Sequence, residues 1–166
     1  MKKQLRVLAS VLATVLMLCL MTACSEIGTG DVGGGLTGLT YEQSEVLRLV
    51  NIERENAGLR PLEMADTNLI AAAQERAEEI SNKFSHTRPN GSSCFTALDE
   101  HNVRYSYCGE NIAAGQQTPE AVVNSWMNSP GHRANILNPN YRKIGIGYCY
   151  SLNGGYSHYW VQMFTN

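Results

Sequence analysis

The chain has 166 residues, with 13 Lys and Arg against 15 Asp and Glu, 43% hydrophobic residues, 15 glycines and five cysteines. That length suits one domain with appendages. A formal charge of −2 and the lack of any basic block exclude the clustered cations that a nucleic-acid backbone demands.

Three of the cations, Lys2, Lys3 and Arg6, precede an uncharged apolar stretch of 17 residues from Val7 to Ala23. Without them the balance is 10 cations against 15 acids, or −5. A basic start, an apolar run and small residues ahead of Cys24 predict a secretory signal peptide over residues 1–23 and an exported chain. Leu20-Met21-Thr22-Ala23-Cys24 resembles a bacterial lipobox, which makes Cys24 the candidate lipid anchor and the membrane a partner. Two alternatives stay open: an uncleaved helical anchor, since the run reaches the lower limit for a bilayer span, or an ordinary signal peptide followed by a free Cys. All three place the domain outside the cytoplasm.

Residues 24–40 then form a tether. Six glycines fall between Ser25 and Thr40, and such a coil spans roughly 20 Å root-mean-square. The composition changes once, so residues 41–166 are expected to be one domain.

In that domain, Val46, Leu49, Val50 and Ile52 predict an amphipathic helix from Tyr41 to Ala57, stopped by Gly58 and Pro61. Asp66 is the expected N-cap of a second helix through Leu69, Ile70, Ala73, Ala77 and Ile80, ending near Phe84. Pro89-Asn90-Gly91 reads as a turn, and Ser93 as the cap of a short helix through Phe95 and Leu98. Thr118-Pro119 opens another helix that carries Val122, Val123 and Trp126 inward and ends at Ser129-Pro130-Gly131. The period then changes. Ile144 to Tyr150 and Tyr156 to Phe164 predict a hairpin, with Gly145 and Gly147 marking a bulge or a close backbone approach. Asn111 to Ala114 is a further strand candidate. Helices first and sheet last imply an α+β fold.

Candidate chemistry lies in the turn-rich stretches. His86 sits in Phe84-Ser85-His86-Thr87-Arg88-Pro89, His132 in Ser129-Pro130-Gly131-His132-Arg133, and Glu110 at the entrance to a strand. No local spacing joins them, so a shared site would have to be assembled by the fold. The plainer reading is that the histidines hydrogen-bond loops and Glu110 caps an amide.

Several ordered motifs carry a resemblance. These are Leu49-Val50-Asn51 with Arg54 and Gly58-Leu59, Phe84-Ser85-His86 with Pro89-Asn90-Gly91, and Gly109-Glu110-Asn111-Ile112-Ala113. Trp126 with Ser129 to Leu137, Ile144 to Gly147, and Tyr159 to Gln162 complete the set. Together they resemble the CAP superfamily, the SCP-like group of cysteine-rich secretory proteins, antigen 5 and pathogenesis-related-1 proteins, in its bacterial form. The resemblance implies an α-β-α sandwich with a central antiparallel sheet between helices and a cleft open on one side. It also implies a cleft centre of two histidines and two acids able to hold a divalent metal. By motif, His86, Glu110 and His132 match three of the four, and Ser129 stands where the second acid would be. Two imidazoles and one carboxylate suffice for Zn²⁺ with an open position, at reduced affinity.

Three cysteines of the domain, Cys94, Cys108 and Cys149, remain for an oxidising location, an odd count that leaves one unpaired. Cys94 with Cys108 is the preferred pair, and Cys149 the competing partner. A Cys-His nucleophile would need a thiolate beside an imidazole, and only Cys94, near a short helix start, meets one condition. No catalytic residue is assigned. The expected function is an extracellular binding module for a small molecule, a lipid, a metal such as Zn²⁺ or a protein. The alternative is a metal-assisted hydrolase acting on peptide or envelope substrates.

Overall fold

A computed structural model describes residues 38–153 and 155–166. The signal segment, Cys24 and the glycine-rich stretch to residue 37 lie outside the described residues. α1 (Tyr41–Asn56) starts at a reciprocal cap, in which Thr40 Oγ1 accepts from the Gln43 amide and Gln43 Oε1 accepts from the Thr40 amide. Val46, Leu47 and Val50 form its buried face. α2 (Thr67–Asn82) begins from Asp66 as expected, with Asp66 Oδ1 accepting from Asn68 N and Leu69 N. It turns Leu69, Ala72, Ala73, Ala77 and Ile80 inward.

Two helices differ from the sequence reading. Ser93 Oγ accepts from Phe95 N in a turn, and α3 (Thr96–Glu100) begins after it with no side-chain cap. α4 (Pro119–Met127) follows expectation, because Thr118 Oγ1 accepts from Ala121 N and Pro119 takes the first turn. Ser129-Pro130-Gly131, read as a terminator, instead opens α5 (Pro130–Ile136). First-turn amides have no intrahelical acceptor, so proline and glycine do little harm there. His132 therefore stands on a helix.

β1 (Cys108–Ala114), β2 (Lys143–Tyr150) and β3 (His158–Thr165) form one antiparallel sheet in the order β1-β3-β2. The predicted hairpin is β2-β3, with β3 in the centre and β1 as the edge strand on its other side. Side chains alternate along β3: Tyr159, Val161 and Met163 pack with α2 and α3, whereas Trp160 and Phe164 pack with α1, α4 and α5. Both faces of the sheet are thus covered, giving the α-β-α sandwich. Trp126, as expected, is fully buried, and so is Trp160. Gly145 and Gly147 mark a close approach: a Cβ on Gly147 would lie 2.0 Å from the Ala73 carbonyl oxygen, and one on Gly145 2.3 Å from that of Leu69. α2 therefore rests backbone to backbone on β2.

The expected disulfide is not formed. Cys94, Cys108 and Cys149 are each unpaired; Cys94 and Cys108 line one recess, with the Cys94 thiol against His86 and Glu110. No helix among the described residues is long and apolar enough to cross a membrane.

Candidate functional site

Successive residues of a strand point to opposite faces, and β1 uses this to reach both layers. Glu110 points to α2 and accepts from Arg76 Nε at 2.8 Å, with both side chains almost wholly buried. Its other oxygen, Oε1, lies 2.7 Å from His86 Nδ1. Arg76 also pairs with Glu79 and donates from Nη2 to the Ser85 carbonyl at 2.8 Å. One guanidinium thereby joins α2, β1 and the residue preceding His86. Burial alone would lower the Arg76 pKa, but Glu110 and Glu79 together raise it.

Asn111, the next residue, points to α5. Its Nδ2 donates to the His132 carbonyl at 3.1 Å and to Gln162 Oε1 at 3.0 Å, and its Oδ1 accepts from Asn135 Nδ2 at 2.8 Å. Arg54 fastens the far end of the same helix. Fully buried, it donates to the carbonyls of Arg60, Ile136 and Asn138. Burial lowers its pKa, and the carbonyls at the end of α5 supply compensating negative dipoles.

A small hairpin carries His86. Gly91 turns the chain at φ +87°, a left-handed backbone that favours glycine, and Thr87 bridges Ser93. Cys94 N then donates to the His86 carbonyl at 3.2 Å. Arg88, buried beneath the turn, pairs with Glu75, Glu79 and Glu100, which ties the hairpin to α2 and α3. Burial would raise the Glu79 carboxyl, but hydrogen bonds from Arg88 and Arg76 hold it below the ordinary range.

A cleft of about 530 Å³ opens beside edge strand β1. Phe84, Ile112, Ala113, Ala114 and Trp126 give it an apolar floor, with His86 and His132 among the polar groups on its walls. Burial, and then the nearby His86, lower the pKa of His132. An adjoining recess of about 540 Å³ is lined by His86, Cys94, Cys108, Glu110 and Asn135, among others. His86 belongs to both. Burial and the Glu110 charge push the Cys94 thiol up to about 12, so it is no activated nucleophile.

The structure thus brings His86 and Glu110 into contact and sets His132 on the same cleft as His86. His86 Nδ1 or Nε2, Cys94 Sγ and a Glu110 oxygen lie within 4.8 Å of one another, and among the described residues His132 joins no such group of three. A nitrogen, a sulfur and an oxygen donor fit a borderline metal such as Zn²⁺. Ser129, in the position of the family's second acid, precedes α5 and makes no side-chain cap. Sequence reasoning missed Arg76 and Cys94 as neighbours of Glu110. Arg76 carried no local signal, being 34 positions away. Cys94 did carry one, since His86 and Cys94 lie four positions on either side of Asn90 in a predicted turn.

A helix-flanked antiparallel sheet with a histidine-lined cleft at its edge defines an SCP-type domain. The chain belongs to the cysteine-rich secretory protein (CAP) family, whose model matches residues 47–164. It is 43% identical over 126 residues to YkwD, an uncharacterized protein of Bacillus subtilis, covering 75% of this chain and 46% of that one. An extracellular SCP-domain protein of Bacillus anthracis superposes with a TM-score of 0.68 at 27% identity, over 81% of this chain and 45% of that one. An outer surface protein of Borrelia burgdorferi shares the fold, with a TM-score of 0.66 at 23% identity over 74% and 90% of the two chains. The chain spans about half the length of the Bacillus proteins named here.

Proposed function

We propose that this domain is an extracellular binding module whose cleft takes a small amphiphile, its apolar body over Phe84 and Ala114 and its polar end at His86 and His132. The observation that carries the reading is the cleft itself, about 530 Å³ with an apolar floor and two imidazoles on its walls, a size and lining suited to small-molecule binding. The hydrolase alternative has less support. Glu110 is engaged by Arg76 and His86, which leaves it poorly placed as a general base, and Cys94 is held as a neutral thiol. A divalent metal, if bound, would be held by His86 and Glu110 with a third donor. It would polarise a bound oxygen group.

Export and tethering belong to the same proposal. Cys24 anchors the domain to the membrane through a lipid, in keeping with its likeness to an extracellular SCP-domain protein of Bacillus anthracis. Cys24→Ala is expected to leave an unprocessed precursor without fatty-acid label. Equal labelling of both proteins would overturn the anchor. For the cleft, native mass spectrometry of the purified protein is expected to show a small non-covalent adduct. Filling the cleft with Ser125→Trp, at an exposed lining position, should remove it, and an adduct that persists in this variant would place the ligand elsewhere.

A further inference from the structure

We infer that Cys94 is a metal ligand, and that His86, Cys94 and Glu110 form a thiolate-containing site for a borderline divalent cation such as Zn²⁺, in which His132 takes no part. The inference deepens the reading of this region as a binding site, but it concerns the adjoining recess and not the apolar cleft.

Proximity is the first argument. The three donor atoms lie within 4.8 Å of one another, whereas tetrahedral ligands at zinc distances sit roughly 3–4 Å apart. Closing that gap asks for shifts of about 1 Å, and the His86 side chain, 57% exposed, is free to make them. Cys94 is not there by chance of a mobile loop. The turn at Gly91, the Thr87–Ser93 bridge and the Cys94 N to His86 carbonyl bond hold it opposite His86.

The surroundings supply the second argument. Metal-bound carboxylates are characteristically hydrogen-bonded from behind, and Arg76 holds Glu110 Oε2 in that manner while Oε1 faces His86. The recess, about 540 Å³, leaves room for water or a ligand at a fourth position. On binding, Cys94 loses its proton to solvent, and the imidazole keeps one proton on whichever nitrogen does not meet the metal. A thiolate beside an imidazole favours Zn²⁺ or Co²⁺ over Mg²⁺ and Ca²⁺.

The test is Co²⁺ titration of the full exported chain, reduced and in detergent, followed by Zn²⁺ competition. The wild type is expected to develop a thiolate-to-cobalt charge-transfer band in the near ultraviolet, displaced by Zn²⁺ and untouched by Mg²⁺. Cys94→Ser should abolish the band and weaken Zn²⁺ at least tenfold, whereas His132→Ala and Cys108→Ser should keep both. X-ray absorption at the zinc edge of the wild type needs no variant and should count one sulfur. A sulfur-free shell, a band that survives Cys94→Ser or is lost in His132→Ala, or no binding of either metal overturns the proposal. The cleft reading is separable, because amphiphile binding should be the same in wild type and Cys94→Ser.

Discussion

Glu110 and Asn111 are neighbours on β1, but the interior holds them by different chemistry. On the α2 side the carboxylate is locked between a buried guanidinium and an imidazole. On the α5 side three neutral amides, Asn111, Asn135 and Gln162, exchange hydrogen bonds and grip the His132 main chain. The charged side positions a side chain, His86, through Arg76 and the Ser85 carbonyl. The amide side positions a backbone and leaves the His132 ring to the cleft. A buried charge depends on its partner far more than a buried amide does, so the two sides should fail differently.

The largest effect is expected from Arg76→Met, which strands the buried Glu110 carboxylate and should cost about 3–5 kcal/mol in denaturant unfolding. Adding Glu110→Gln should restore much of that loss, because both charges are then gone. Failure of the double variant to recover would show that Arg76 acts through packing and not through charge. Asn111→Ala is next, at about 2–3 kcal/mol, since it breaks neutral bonds and leaves amide partners unsatisfied. Its denaturant midpoint should fall less than that of Arg76→Met, and the reverse order would break the comparison.

The smallest effect concerns acid. His132 has its folded pKa lowered by burial and by His86, so the stability it contributes is present above about pH 6.5 and is lost as pH falls through the folded value. Glu79 is also lowered, and its contribution disappears only below about pH 4. Melting temperatures should therefore decline in two stages on acidification. His132→Gln should flatten the first stage and leave the second. An unchanged first stage would assign it to another group.

Much of this arrangement was legible beforehand because it depends on local chemistry. Asp66 and Thr118 announce their helices as caps, and Gly145 with Gly147 announce a bulge or a close backbone approach, though not that α2 is what approaches. The cleft histidines were legible only through family resemblance, since His86, Glu110 and His132 share no local spacing. α5 was hidden because Ser129-Pro130-Gly131 has the same composition as a chain terminator. β1 starts at Cys108, ahead of the strand that Asn111 to Ala114 predicts; Cys108 and Gly109 look unlike strand residues. Gly109 is required there by the Tyr141 hydroxyl, which would lie 2.5 Å from a Cβ. Arg76 shows the other limit: its pairing with Glu110 exists only once α2 is laid on the sheet.

The central claim, that the apolar cleft beside β1 binds an amphiphile at its two histidines, is tested most directly by calorimetric titration of the full chain with decanoate. The wild type should bind one molecule. Ser125→Trp, folded and equally stable, should bind none, and the His86→Ala, His132→Ala double variant should bind at least tenfold more weakly. No saturable binding by the wild type, or equal binding by Ser125→Trp, would contradict it.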